Sequence, residues 1–441
     1  MWLYIGRKFS TIRKPMANSN LLSTIRSLKN RNYRLFFFGN GLSLIGTWMQ
    51  SVTVGWLVYK LSNSSYILGV AGALGTLPVM LFSLFGGYVA DRANRFRILL
   101  ITQSFAMVQA FLLAILTLTG IVRVSHILVL SFVLGAINAF DIPARQSFVV
   151  NVVEKKEDLP NAIALNSFLA NGTKLIGPSL AGIFIAAVGE GICFLINAIS
   201  YTAVIAALLM MNVSYTTTNN SNMDRESIVK KLREGIGYVK NFTPIRTVVL
   251  YVAYFSIFGM FYGVLMPVFA KEIFHGDAIT LGFLVGSGGV GAIIGAIYLA
   301  SRPVHKGLGK LIHTAGIFFG IALILFSYCR NLWVGLVLLV IVGTCMVLQL
   351  VTANIILQTL VPDEKRGRVM SFHTLAFTGT QPISSYIAGV LGNAIGVQKA
   401  SLIGGILCIA GSIVFRKQYL SFLKNLQKTE QCNLINRIFI G

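Results

Sequence analysis

The feature that most restricts the fold of this chain is a series of long apolar segments that are almost free of charge. Twelve segments have the length of about 20 residues that a helix needs to cross a bilayer. Only 12% of the 441 residues are charged and 55% are hydrophobic, which excludes a water-soluble enzyme. The sequence therefore predicts an all-α polytopic membrane protein. The predicted spans lie approximately at residues 33–58, 66–90, 97–120, 125–150, 161–188, 190–211, 245–270, 279–300, 309–328, 331–360, 369–391 and 396–415.

The membrane topology explains the strongly basic composition. The formal net charge is +23, from 37 Lys and Arg against 14 Asp and Glu. An even number of spans puts both termini on one side, and 31 of the basic residues fall on that side against 5 on the other. Because basic segments stay in the cytoplasm, we expect both termini to be cytoplasmic. We expect the lipid bilayer to be the partner of the apolar spans. A nucleic-acid partner is not needed to explain the charge.

The chain is predicted to consist of two similar halves. Two short sequence pairs recur in the order that a duplicated six-helix unit requires: LAG at 180–182 with IAG at 387–389, and LG at 68–69 with LG at 281–282. Between the halves, residues 224–241 combine apolar residues at helical spacing with basic ones, which predicts an amphipathic helix on the membrane surface. The predicted units are a basic segment 1–32, a six-helix bundle 33–211, a linker 212–244, a second bundle 245–415 and a basic tail 416–441.

The turn after the second span carries a charged motif. Gly87 is followed by Asp91, Arg92 and Arg95 in the pattern G-x-x-x-D-R-x-x-R. This pattern resembles the signature of the major facilitator superfamily, whose fold has two pseudo-symmetric six-helix bundles. We interpret these four residues as a cytoplasmic gate, in which the charges pair with the opposite bundle when the inner face closes. The alternative is that the arginines only fix the topology.

Further segments narrow the resemblance to one branch of that superfamily. The chain is similar to the transmembrane secretion effectors, which include the enterobactin exporters, over roughly residues 30–415. The resemblance implies a twelve-helix exporter of siderophores or similar small molecules in the bacterial cytoplasmic (inner) membrane, driven by protons. The matching segments are NRNYRLF at 30–36, IGTWMQ at 45–50, DIPARQSF at 141–148, LPNAIALN at 159–166, GPSLAG at 177–182 and RGRVMS at 366–371.

Small residues in the fifth span predict close helix packing. Gly177, Pro178 and Gly182 correspond to the end of a longer glycine series in the antiporters of the superfamily, although here the upstream glycine is displaced to Gly172. Small residues permit helices to approach, and a proline permits bending. Antiport is therefore suggested by this motif and is not established by it.

Two ionisable residues lie well inside the predicted spans, away from the span ends, where charge is expensive. Asp141 is a candidate for proton coupling, and Lys174 is a candidate for binding an anionic substrate. Arg145 follows Asp141 by one helical turn and is a further substrate candidate. A static buried pair of Asp141 with Lys174 or Arg145 is the alternative interpretation.

Uncharged polar and aromatic stripes extend the predicted substrate site. On the first span Asn40, Thr47 and Gln50 recur at intervals too regular and too polar for a face that meets lipid. The aromatic stripe of the seventh span has packing as its alternative role. The remaining candidates are Tyr251, Phe255, Phe258 and Tyr262 on that span and Gln381 on the eleventh, which the internal repeat aligns with Lys174.

The sequence thus predicts a secondary active transporter with no cofactor and no metal. No catalytic triad, metal-ligand set or phosphate-binding glycine loop is found, so an ion gradient must supply the energy. We expect a monomer that exports a small, anionic molecule such as a siderophore in exchange for protons. Broad-specificity drug efflux is the first alternative, and a polytopic membrane enzyme or scaffold is the second.

Overall fold

A computed structural model describes residues 26–153, 155–211, 237, 242–302, 307–361 and 363–426. Fourteen helices are long enough to be named in these ranges. A 3₁₀ turn at Arg26–Lys29 precedes the first of them, and a π-helical turn at Phe269–Ile273 follows the eighth. The helices are α1 Arg31–Ser62, α2 Ser65–Arg92, α3 Arg95–Leu118, α4 Val124–Val152, α5 Leu159–Val188, α6 Glu190–Leu209, α7 Thr243–Gly259, α8 Phe261–Val268, α9 Ala278–Ser301, α10 Leu308–Tyr328, α11 Leu332–Leu360, α12 Asp363–Thr378, α13 Gln381–Ile395 and α14 Val397–Leu426.

These helices account for the twelve predicted spans. Helices α1–α6 form the first six, α7 and α8 with the π turn form the seventh, and α12 and α13 form the eleventh. Ten helical segments of the described chain are long and apolar enough to cross a membrane by length and composition. The other two are α1, whose polar stripe lowers its mean hydropathy, and the eleventh span, which divides at Gly379. The predicted all-α membrane fold is confirmed.

Short polar turns set the ends of several helices. The side chains of Asn30, Asn94 and Asn331 accept hydrogen bonds from backbone N–H groups in the first turns of α1, α3 and α11, and Ser64 and Asp277 do the same for α2 and α9. Such caps satisfy donors that would otherwise lack partners at the start of a helix. The chain can therefore reverse direction within a few residues between spans.

The two halves repeat one packing pattern. In the first half α1 packs against α6, α2 against α4, and α3 against α6. In the second half the equivalent pairs are α7 with α14, α9 with α11, and α10 with α14. Across the halves α5 packs against α9, and α2 packs against α13. The result is the two pseudo-symmetric bundles that the resemblance implied.

The path of the chain distinguishes the two ends of the bundle. Residues 26 and 426 lie at one end, which we call the terminal end, and the connection between α1 and α2 lies at the other, which we call the distal end. Helix α14 continues through Leu426, past the predicted end of the twelfth span at residue 415. The predicted amphipathic helix of the linker falls outside the described residues.

Candidate functional site

Two pairs of glycines bring the halves together near the distal end. An added Cβ on Gly69 of α2 would lie 2.6 Å from the Cα of Gly389 on α13. One on Gly182 of α5 would lie 3.0 Å from the Cα of Gly282 on α9. Backbones approach this closely only where neither residue has a side chain in the way. The halves are therefore closed against each other at the distal end.

Polar side chains join the halves at the same end. The hydroxyl of Tyr59, near the end of α1, donates a hydrogen bond to the carboxylate of Glu272 in the π turn. The Lys271 Nζ donates to the Asn63 Oδ1 at 3.1 Å and lies 5.4 Å from the centroid of the Tyr59 ring. Tyr59 and Glu272 could not be singled out from the sequence, since both lie at span ends where polar residues are common.

Toward the terminal end the halves separate. Gly87 follows Gly69 by 18 residues, which is about five helical turns, so both glycines lie on one face of α2. An added Cβ on Gly87 would meet no atom within 4 Å, whereas Gly69 touches the opposite half. The open space beside Gly87 indicates that the gap between the halves widens toward the terminal end, and we call this gap the cavity.

Lys174 lies on the cavity side of α5. Its side chain is exposed, and Nζ is 5.8 Å from the centroid of the Trp48 ring on α1. The exposed Ile176 and Ile183 lie about 180–200° around the helix from Lys174, on the face that meets lipid. The adjacent Leu175 contacts α9 across the halves. Lys174 is therefore at the closed apex of the cavity.

Asp141 is held inside the first half by four hydrogen bonds. Its Oδ1 accepts from the Thr102 hydroxyl at 2.8 Å and from the Gln103 Nε2 at 2.7 Å, both on α3. Its Oδ2 accepts from the Arg145 Nε at 3.0 Å and from Nη2 at 2.5 Å. Arg145 also donates to the Asn40 side chain on α1. The pair of Asp141 and Arg145 thus links α1, α3 and α4.

The structure separates the two charges that the sequence could have paired. Asp141 forms its ion pair with Arg145, so the alternative of a static pair with Lys174 is wrong. The two side chains point in different directions from their helices. Asp141 faces α3 inside its own half, while Lys174 faces the cavity. Gln381, aligned with Lys174 by the repeat, is half-buried at the first residue of α13.

The polar stripe of α1 faces the interior of the first half. Asn40 and Gln50 are buried, and Thr47 is half-buried and donates to a carbonyl of its own helix. The Gln50 Oε1 accepts from the Asn197 amide at 2.6 Å, and its Nε2 donates to the Gln109 Oε1 at 3.0 Å. Side chains of α3 and α6 thus supply the hydrogen-bond partners of Gln50 in this stripe.

The aromatic stripe of the seventh span lies partly in the interior of the second half. Tyr251 and Phe255 are buried, and the Tyr251 hydroxyl donates to the Gln349 Oε1 at 2.5 Å. Phe258 and Tyr262 are half-buried. These last two are the members of the stripe that remain accessible.

The charged motif at the junction of α2 and α3 contacts its own half. Arg95 Nη1 donates to Asn151 Oδ1 at 2.6 Å, which connects the start of α3 to the end of α4. The guanidinium of Arg92 lies 4.3 Å from the centroid of the Tyr88 ring. The side chain of Asp91 falls outside the described residues.

Gly177 and Pro178 shape the middle of α5. An added Cβ on Gly177 would lie 2.5 Å from the Trp48 Cβ, so this glycine lets α5 lie close to α1. Pro178 is buried within the helix. Together with Gly182, which faces α9, they place α5 between a neighbour in its own half and one in the other.

Comparison with known proteins identifies the family. The family described as "Transmembrane secretion effector" matches residues 22–436. The chain belongs to this family of the major facilitator superfamily. It is 25% identical over 383 residues to the Staphyloferrin A transporter of Staphylococcus aureus, covering 87% of this chain and 95% of that protein. It is 23% identical over 370 residues to the multidrug efflux pump Tap of Mycolicibacterium fortuitum, covering 82% and 88%. The chain is thus a secondary transporter.

Solved structures share the fold at low sequence identity. A bacterial homologue of the human lysosomal transporter Spinster, in an inward-facing and unoccupied conformation, has a TM-score of 0.70 at 13% identity and covers 89% of this chain and 97% of that one. A bacterial homologue of the iron transporter ferroportin, in an inward-facing state, has a TM-score of 0.66 at 16% identity and covers 91% and 99%. These likenesses concern the fold alone.

Proposed function

We propose that this transporter exports a small anionic molecule in exchange for protons. The observation that carries the proposal is the position of Lys174, an exposed cation at the apex of the cavity. Asp141, the acidic residue well inside the predicted spans, is already paired with Arg145 and does not neutralise Lys174. A cavity with excess positive charge favours anionic cargo.

A siderophore is the cargo class that we favour. The similarity to the Staphyloferrin A transporter supports a small molecule of this kind. The predicted orientation puts the open terminal end in the cytoplasm, where an exporter takes up its cargo. Closure of that end and separation of the glycine pairs would then release the cargo at the distal side.

Asp141 is the proposed proton acceptor. Its two oxygens act only as acceptors in all four hydrogen bonds, an arrangement that suits the ionised carboxylate. Protonation would add a donor that faces donors, weaken the ion pair and release Arg145. Since Arg145 also holds Asn40, this step would loosen α4 from α1. The buried stripe of α1 therefore supports the coupling site in this mechanism and does not contact cargo.

The test compares an anionic substrate with a neutral analogue of similar size. Proteoliposomes with an imposed pH gradient are assayed for Lys174→Gln, which is expected to reduce the apparent affinity about tenfold for the anion and little for the neutral analogue, since about 1.4 kcal/mol is lost with the charge. Lys174→Arg keeps the charge and should retain most of the affinity. Lys399→Gln removes an exposed lysine at the distal end of α14 and serves as the matched control. Equal losses for both substrates would reject Lys174 as an anion site.

Multidrug efflux is a second candidate. It is favoured by the similarity to the pump Tap and by the half-buried aromatic rings of Phe258 and Tyr262, which could contact a lipophilic drug. In the same assay, a lipophilic cation transported by the wild-type protein and unaffected by Lys174→Gln would support this candidate instead.

A further inference from the structure

A cleft with a cationic lining opens between α7 and α14 at the terminal end of the second half. Its volume is about 650 Å³, and all of its described lining residues belong to the second half. Arg246 and Lys417 line it together with the hydroxyl-bearing Thr243 and Thr247, and no acidic residue is among its described lining residues. Both Arg246 and Lys417 are exposed. The cleft therefore suits an anion with several oxygen acceptors.

The start of α7 adds to this positive field. Phe242 occupies the N-cap position and supplies no side-chain hydrogen bond to the first turn. Pro244 has no N–H, but the N–H groups of Thr243 and Ile245 in this turn carry partial positive charge and can donate to a phosphate. Thr243, the first residue of α7, lines the cleft at this point.

The cleft becomes apolar toward the membrane interior. Leu250 lies one turn beyond Arg246 on α7, lines the cleft and is 59% exposed. On α14, Ile413 and Val414 lie one turn before Lys417 on the membrane side and are 42% and 51% exposed. Cations at the membrane surface above exposed apolar side chains match a phospholipid, with its headgroup at the surface and its acyl chains below. A free phosphate would contact only the cations at the membrane surface and not the apolar side chains.

The corresponding position in the first half is bridged by the protein itself. The pair α7 and α14 repeats the pair α1 and α6. There the guanidinium of Arg31 donates to the Met210 carbonyl at 3.4 Å, and a 3₁₀ turn at Arg26–Lys29 precedes α1. In the second half, the equivalent place between the first and last helices is the cationic cleft.

We propose that this cleft binds the headgroup of an anionic phospholipid in the leaflet at the terminal end. The phosphate contacts Arg246, Lys417 and the start of α7, while an acyl chain lies along Leu250. The lipid thereby joins the first and last helices of the second half, as Arg31 joins those of the first. This site is independent of the cargo and of proton coupling.

The test measures thermal stability of the full chain, delipidated in detergent. A ligand that binds the folded state raises the unfolding temperature. Dioleoyl-phosphatidylglycerol is expected to raise the Tm of the wild-type protein more than dioleoyl-phosphatidylcholine at the same concentration. The variant Arg246→Gln/Lys417→Gln should lose most of that difference. Arg97→Gln/Lys155→Gln removes two exposed charges from the terminal end of the first half and should keep it.

Two further arms keep the outcome decisive. Arg246→Lys/Lys417→Arg preserves both charges and should retain the lipid-specific shift, and if the double glutamine variant does not fold, each single variant should show a reduced shift. Glycerol 3-phosphate should not reproduce the shift. Equal shifts with both lipids, a shift unchanged in every glutamine variant, or a full shift with glycerol 3-phosphate would each overturn the proposal.

Discussion

The carboxylate of Asp141 is held by four hydrogen bonds inside the first half. It is 2% exposed and is surrounded by hydrogen-bond donors on α3 and by a guanidinium on its own helix. Removing one partner of a buried ion pair leaves the other charge without compensation, which typically costs about 3–5 kcal/mol. Arg145 is 18% exposed at its side chain, so water reduces this cost. The charge of Asp141 is thus balanced by these neighbouring groups.

We expect Asp141→Asn to abolish transport driven by a pH gradient while the protein remains inserted in the membrane. The amide cannot lose or gain a proton near neutral pH, so the coupling step has no acceptor. The measurement is pH-gradient-driven transport in proteoliposomes, with size-exclusion chromatography to establish folding. Thr102→Val removes one donor to Asp141 but keeps the ion pair, and it should retain transport. Wild-type rates in Asp141→Asn would exclude Asp141 from the mechanism.

The sequence could supply the candidates for this cluster but not its geometry. The spacing of Asp141 and Arg145 places them one turn apart on any helix, so their pairing was one of the expected alternatives. The partners Thr102 and Gln103 were not predicted. Two adjacent polar residues do not reveal how α3 is rotated about its axis, and this rotation decides which helix they face. For the same reason a long lysine stem made a pair with Lys174 equally acceptable. The packing of α5 against α1 and α9 decides against it.

At the level of helices, the two sequence repeats coincide with the two close contacts between the halves. The repeat pairs Gly69 with Gly282 and Gly182 with Gly389, whereas in space Gly69 meets Gly389 and Gly182 meets Gly282. Each half thus contributes two equivalent glycines to one symmetric pair of contacts. Duplication was visible in the sequence, but the function of the repeated glycines emerged only from the packing of α2 on α13 and of α5 on α9.

We expect Gly69→Ala to favour opening of the distal end. The added Cβ would lie 2.6 Å from both the Cα of Gly389 and the Ser385 carbonyl oxygen, and both are backbone atoms that cannot rotate away. Overpacking of this kind costs about 1–3 kcal/mol, which would shift a two-state equilibrium about 5–150-fold. The measurement is the labelling rate of Ser65→Cys by a membrane-impermeant maleimide, in a background without native cysteines.

A second glycine of the same helix gives the control for this prediction. An added Cβ on Gly75 would meet no atom within 4 Å, so Gly75→Ala should leave the labelling rate near that of the parent. An equal rate in Gly69→Ala and in the parent would show that the glycine contact does not limit distal opening.

The complete bundle shows an unequal division of polar groups between its halves. In the described chain, the ion pair inside the spans and the amide network of Gln50, Gln109 and Asn197 belong to the first half. The second half contributes aromatic packing around Tyr251 and Phe255. Span number and duplication were predictable because lipid imposes them on the sequence. The separation of the halves at one end was not, since one sequence serves both open and closed states.

The final prediction concerns the movement of the halves against each other. Ser64 of α2's N-cap and Asn393 of α13 lie in opposite halves at the distal end, with 3.5 Å between the Ser64 Oγ and the Asn393 Oδ1. A short, reducible thiol cross-linker between Ser64→Cys and Asn393→Cys should stop transport, and a reductant should restore it. Alternating access requires this end to open in every cycle, so a bridge across the halves holds the transporter in one state. The control links Lys60→Cys to Glu190→Cys, which replaces an ion pair of 2.8 Å at the distal end within the first half. That link joins helices that move together and should leave transport intact, whereas continued transport with the first bridge in place would contradict rigid-body alternation of the two bundles.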